Sequence, residues 1–272
     1  MTAAAERWRE DLASWAIPPE ILASAPESPW YFPVELFAGR ADAKREPSPS
    51  DLVALEALRE GGTVLDVGCG AGASSLPLAA RAGSIIGVDG SDDMLAAFAE
   101  RASAAGVSLA RVQGRWPGVA DETPAADVVV CHHVAYNAPE LDEFAEALTT
   151  HSRQRVVMEL TPQHPTANLN PLWRQFWGIE RPTRPTADDA QAVLAAMGLN
   201  TERRDWTAPP GGGFAREDDV VAFVRRRLCL PADRDPEIRA ALDPGLHRGA
   251  GGGFDFGPRP VVTLWWEGRA TD

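Results

Sequence analysis

Val64-Leu65-Asp66-Val67-Gly68-Cys69-Gly70-Ala71-Gly72 decides how this chain is read. Val64 to Val67 form a short apolar run, the signature of a buried strand. Three glycines then permit a tight turn and a close approach of backbone to a ligand. The following run, Ala73 to Ala82, has a helical composition, and Pro77 falls near its first turn, where a missing N–H matters least. A helix there would turn its free N–H groups toward the ligand. A strand, a glycine turn and a helix start together make a socket at the carboxyl end of a parallel sheet.

Gly68-x-Gly70-x-x-Ala73 also fits a loose nicotinamide fingerprint, so the glycines alone do not choose the ligand. Asp66 discriminates. A carboxylate two residues ahead of the first glycine crowds a pyrophosphate but suits a cationic or amine-bearing ligand. Leu65 to Gly72 resembles motif I of the class I S-adenosylmethionine-dependent methyltransferases, and the next strand, Ser84 to Asp89, ends in an acid as that family requires. The resemblance implies a Rossmann-like α/β fold, doubly wound around a seven-stranded, mostly parallel sheet. It also implies S-adenosylmethionine as cofactor and S-adenosylhomocysteine as product. Asp66, Gly68, Gly70 and Gly72 would then form the cofactor loop, Asp89 would hold the ribose hydroxyls, and Gly90 and Met94 would follow it. Gly114, Arg115 and Trp116 would lie beside the adenine, and His132 would close the site. Trp116 either stacks on the base or plugs the sheet end.

The alternation of elements supports a doubly wound sheet. Val107 to Val112, Asp127 to Cys131 and Arg155 to Leu160 read as strands three to five, and Asn200 to Trp206 and Val261 to Trp266 as strands six and seven. Helices are expected at Asp51–Arg59 with Ser50 as cap, from Asp92 to Gly106 with Ser91 as cap, and at Glu140–Leu148, Ala187–Met197 and Glu217–Leu228. Glu6 to Trp15 reads as an amphipathic helix with Trp8, Leu12 and Trp15 on one face. Residues 1–50 are expected to form an N-terminal arm, with Ser28 to Pro33 serving as core packing or as a lid. Residues 51–272 are expected to form the catalytic domain, interrupted by substrate-side insertions near 161–185 and 207–259. The second insertion departs from the family, which joins its last two strands by a short hairpin. It could shape an acceptor site, build a homodimer contact or lie loose on the surface.

In this family the acceptor site lies at the ends of strands four and five. His132, His133, Tyr136, Asn137, Glu159 and His164 stand there in the sequence. A neutral histidine suits proton removal near neutral pH, so His133 is the first choice of base, with His132 next. Glu159 would orient substrate or pair with an arginine such as Arg174 or Arg184. His164 is a weaker candidate. His132, His133 and Glu159 could ligate a metal only if they converge, and no tight ligand motif is present, so no metal is expected.

Composition narrows the partners. The net charge of −13 gives no basic excess for a nucleic-acid backbone. No apolar run is long enough to span a membrane, and Met1 to Asp11 is polar, unlike a secretory signal, so a cytoplasmic protein is expected. Cys69, Cys131 and Cys229 are too far apart for a metal motif or a disulfide framework. Lys44 is the only lysine, and Arg225-Arg226-Arg227 reads as a solvated helix face rather than an anion clamp. The expected activity is methyl transfer to a small-molecule hydroxyl, on a sugar or a secondary metabolite. The alternatives are a nicotinamide-dependent oxidoreductase on a similar sheet and a non-catalytic S-adenosylmethionine-binding protein.

Overall fold

The structure is a computed structural model, and it describes residues 2–30, 46–210, 213–249 and 252–271. The centre is a seven-stranded sheet in the order β3-β2-β1-β4-β5-β9-β6. Its strands are β1 (Gly62–Val67), β2 (Ala82–Asp89), β3 (Ser108–Gln113), β4 (Ala126–His132), β5 (Ser152–Leu160), β6 (Glu202–Ala208) and β9 (Arg259–Glu267). β1 to β5 pair in parallel, while β9 runs antiparallel to both β5 and β6. The start of β9 therefore lies at the same edge of the sheet as the ends of β4 and β5. A two-stranded hairpin, β7 (His247–Arg248) with β8 (Phe254–Asp255), stands apart.

Both faces of the central strands are covered, which is why they read as continuous apolar runs. Val128 and Val130 face one layer while Val129 and Cys131 face the other, as the period of two requires. One face packs against α3 (Pro49–Ala57) and α4 (Asp92–Ala105) through Val53, Leu58, Leu95 and Phe98. The opposite face packs against α1 (Ala3–Ala13), α5 (Leu141–Thr150) and α7 (Ala187–Ala196) through Trp8, Leu141, Phe144 and Leu194. The first helix is amphipathic but ends at Ala13: Trp8 is buried and Leu12 packs against the same core, while Trp15, past the helix end, is buried against His164 instead. The Trp8 indole N–H donates to the Ala138 carbonyl at 2.8 Å, which locks α1 to the turn after β4.

The long connection between β6 and β9 is not loose surface. Its helices α8 (Glu217–Arg227) and α9 (Asp235–Leu242) share a third apolar cluster with α2 (Pro19–Ser24) and α6 (Asn170–Trp177). Ile17, Ile21, Leu172, Trp173, Val220, Val224 and Ile238 fill it. Segments far apart in sequence thus build one cap. The arginine triplet belongs to this cap, contrary to its reading as a solvated face. Arg225 and Arg227 are buried. Arg225 pairs with Glu27 at 3.0 Å and Asp235 at 3.2 Å, Arg226 pairs with Glu27 at 2.6 Å, and Arg227 donates to the Pro29 carbonyl. A cap with a small core gains from ion pairs that pin the N-terminal arm to its helix. Tyr31, Phe32 and Pro33 of the expected lid lie outside the described residues, and Trp30 is exposed. No described helix is long and apolar enough to cross a membrane.

Two local expectations need correction. The run after the glycine turn is not an α-helix. It forms turns and a single 3₁₀ turn at Leu76–Leu78 before β2 begins at Ala82. Pro77 offers no N–H to the helical ladder, and Ser74 and Ser75 spend their hydroxyls on Asp66, so nothing extends the turn. The cap of α3 is Ser48, not Ser50. Ser48 accepts from the Asp51 N–H at 3.2 Å, and the Asp51 carboxylate accepts from the Ser48 N–H at 2.7 Å, a reciprocal capping box.

Candidate active site

The glycine turn sorts its three glycines by role. Gly68 and Gly72 have φ of +70° and +92°, and a β-carbon built on either would lie 2.3 Å from Val134 or 2.4 Å from Phe98. These two serve close packing. Gly70, at φ +50°, has nothing within 4 Å of a built β-carbon. The open backbone is therefore at the middle glycine. Asp89 reaches across to it: one carboxylate oxygen accepts from the Gly70 N–H and the other from the Ser91 N–H, each at 2.9 Å. Each oxygen keeps a lone pair for a further donor. Gly90 lies just beyond, with Arg115 Cγ 3.7 Å from a built β-carbon. Ser91 caps α4, in whose first turn Met94 sits half-buried.

Asp66 lies beneath this loop, fully buried. Both its oxygens accept from Ser74 at 2.8 Å, and Oδ2 also accepts from Ser75 at 2.6 Å. Burial pushes its carboxyl up to about 6, although Ser75, Ser74 and the charge of His132 pull the other way. Its direct contacts are thus within the loop, which it braces. Trp116 is committed to packing: its N–H donates to the Phe144 carbonyl at 3.3 Å, and its ring meets His151 edge-on. Gly114 packs under Val119, 2.2 Å from a built β-carbon.

The ends of β4 and β5 bring the three expected reactive residues together. His132 and Glu159 are strand partners. His133 Nε2 lies 2.9 Å from Glu159 Oε1, and His132 Nδ1 lies 3.9 Å from Oε2. His133 has φ +61°, rare for a residue with a side chain, and its N–H donates to the Glu159 carbonyl at 2.7 Å. That backbone twist is what swings the imidazole onto the carboxylate. Burial alone would raise Glu159, but His132, His133 and Ser50 outweigh it and hold the carboxyl far below its ordinary range. Burial lowers His133 below 6.5, with Glu159 opposing and Arg259 and His132 reinforcing. The pair at neutral pH is a carboxylate beside a neutral imidazole.

Four residues of this site are invisible to sequence reasoning. Ser50 donates to Glu159 Oε2 at 2.6 Å and lies 2.7 Å from Thr263 Oγ1, which accepts from Trp206 Nε1 at 2.9 Å. Each hydroxyl has one proton, so the order is fixed: Trp206 to Thr263, Thr263 to Ser50, Ser50 to Glu159. Arg259, at the head of β9, completes the group, with a guanidinium nitrogen 3.2 Å from His133 Nε2. No motif marks these residues, because they meet only once β5, β6, β9 and α3 are paired. The arginines expected near Glu159 are elsewhere: Arg174 pairs with Glu180, and Arg184 with Asp11 and Asp189. His164 is neither loose nor free to react, since it stacks on Trp15 at 4.0 Å and burial pushes it down to about 4. Tyr136 donates to the Thr161 carbonyl at 2.8 Å. Among the described residues no group of three or more His, Cys, Asp or Glu is arranged to hold a metal.

Comparison with known proteins agrees with this geometry. Residues 64–154 match the family model described as a methyltransferase domain. The fold is similar to that of the YcgJ protein from Bacillus subtilis, with TM-score 0.53 and 20% identity over 82% of this chain and 98% of that one. It is also similar to a cyclopropane-fatty-acyl-phospholipid synthase-like protein from Lactobacillus casei, with TM-score 0.52 and 15% identity over 96% and 98%. An uncharacterized Haemophilus influenzae protein is 31% identical over 103 residues, which span 37% of this chain and only 38% of that relative. Residues 64–154 thus match a methyltransferase domain, and the sheet around them has the fold of these solved structures. The site's residues fit S-adenosylmethionine: an open backbone at Gly70, spare acceptor capacity on Asp89, and a buried His132 Nε2 with no partner among the described residues.

Proposed function

We propose that this protein transfers a methyl group from S-adenosylmethionine to a hydroxyl of a small molecule, with His133 as the base. The observation that carries the reading is the His133–Glu159 pair, 2.9 Å apart, at the strand ends beside the glycine loop. The cofactor supplies an activated methyl; the chain supplies position and a proton acceptor. Asp89 and the Gly70 backbone would hold the nucleoside, and Asp66 sets a negative field beneath its cationic part. Glu159 lies 2.9 Å from His133 Nε2, and its charge holds the imidazole beside the cleft, where a neutral ring nitrogen can take the hydroxyl proton. The relay from Trp206 through Thr263 and Ser50 holds Glu159 in that orientation. His132, whose Nε2 has no partner among the described residues, would meet the ligand between the two centres. A net charge of −13 favours a small acceptor over a nucleic acid.

The test is a radiolabelled methyl-transfer screen across hydroxyl-bearing metabolites. The reading expects a hydroxyl acceptor whose turnover collapses in His133→Ala. Turnover of amines only, or full turnover in both His133→Ala and His132→Ala, overturns it.

A further inference from the structure

The insertion before β9 delivers to the site a cation, Arg259, that the charge of Glu159 reaches but that no carboxylate of the described residues pairs directly. Among the described residues, no carboxylate oxygen lies within 4.0 Å of Arg259, and its only hydrogen-bond contact is His133 Nε2 at 3.2 Å. That nitrogen also faces the Glu159 carboxylate at 2.9 Å, so Arg259 meets the acid only across the imidazole. Elsewhere the chain pairs its clustered arginines closely: Arg155, Arg203, Arg225 and Arg239 each meet two carboxylates. Arg259 is half-buried, so its charge is only partly hydrated. None of its nitrogens is both buried and unbonded, so the rest of the fork keeps some contact with solvent. Pro258 and Gly257, just before it, line a concavity of about 400 Å³ shared with His247, Arg248 and Asp255.

We propose that Arg259 is the recognition residue for an anionic group, a carboxylate or phosphate, carried by the methyl acceptor. A planar guanidinium with no carboxylate of the described residues on its fork matches either anion, and its place beside His133 sets the distance between that group and the reacting hydroxyl. The insertion's role is then specificity: it ends by setting Arg259 on a rigid strand opposite the base. This rests on the reading of His133 and Glu159 as the acceptor site.

The experiment is protection of Arg259 from phenylglyoxal, followed by peptide mass spectrometry on the full chain, with and without S-adenosylhomocysteine. Acetate, benzoate and inorganic phosphate are compared with acetamide and benzamide at equal ionic strength, with exposed Arg111 as internal reference. The expected result is that at least one anion, at saturation, slows modification of Arg259 by roughly tenfold while its neutral analogue and Arg111 show no effect. Protection by acetate or benzoate identifies a carboxylate; protection by phosphate alone identifies a phosphate. Equal rates with anions and amides overturn the proposal. Calorimetric binding of S-adenosylhomocysteine is scored separately, so a failure of the methyltransferase reading shows there and not in the arginine map.

Discussion

Replacing Asp66 with asparagine should make the ligand-free protein more stable at neutral pH. The carboxyl is fully buried, and burial raises it from an ordinary 3.8 to about 6 against the pull of Ser75, Ser74 and His132. Keeping it ionised in the folded chain therefore costs ~3 kcal/mol. The sign follows from the raised value. Below pH 4 the group is protonated in both folded and unfolded chains and carries no penalty. Between about 4 and 6 the unfolded chain gives up its proton first, so wild-type stability falls as pH rises. Above 6 the full cost is present. Asparagine removes the charge and keeps the shape, and the rotatable hydroxyls of Ser74 and Ser75 can serve its amide. Allowing for imperfect pairing, the gain at pH 7.5 is about 1–3 kcal/mol. Urea unfolding of wild type and variant at pH 4.5 and 7.5 reads it directly. The reasoning is refuted if the variant is less stable at pH 7.5 by the same margin as at pH 4.5. The cost has a use: the sulfonium of S-adenosylmethionine above the loop offsets it, so the variant should also bind S-adenosylmethionine about tenfold more weakly.

Other expectations concern the site and its supports. Glu159→Gln should cut methyl transfer by roughly a hundredfold or more, in the range of a misdirected general base. Burial already lowers His133, so the wild-type rate should climb with pH and level off below 6.5; without the Glu159 charge the inflection moves lower still. The same depressed value means His133 adds stability above its unfolded value, which is lost as pH falls through the folded one. Gly68→Ala drives a β-carbon 2.3 Å from Val134 and should cost about 1–3 kcal/mol by thermal unfolding, whereas Gly70→Ala meets open space, costs about 1 kcal/mol and weakens cofactor binding. Ser48→Ala loses a helix cap worth about 1 kcal/mol and leaves kcat intact, while Ser50→Ala breaks the relay to Glu159 and lowers kcat.

The chain's order was readable where physics is local. Val64 to Gly72, the acid closing β2 and the apolar runs of β4 and β5 announce a doubly wound sheet, because strands buried on both faces have nowhere to hide their composition. His132, His133 and Glu159 were likewise visible, since strand ends are where such sheets place ligands. Long-range partners were not. Ser50 looked like a cap because serine before an acidic turn usually is one; its true partners are 109 and 213 residues away. Arg225 and Arg227 looked solvated because nothing in the sequence reveals that Glu27 and Pro29 fold back onto them. The helix expected after Gly72 failed on competition: Ser74 and Ser75 turn inward to Asp66.

The most direct test is calorimetric titration of the intact protein with S-adenosylhomocysteine and, separately, with NAD. The account predicts saturable one-site binding of the nucleoside that Asp89→Ala weakens severely, with no heat from NAD. Tight binding of NAD, or no binding of S-adenosylhomocysteine, would contradict it.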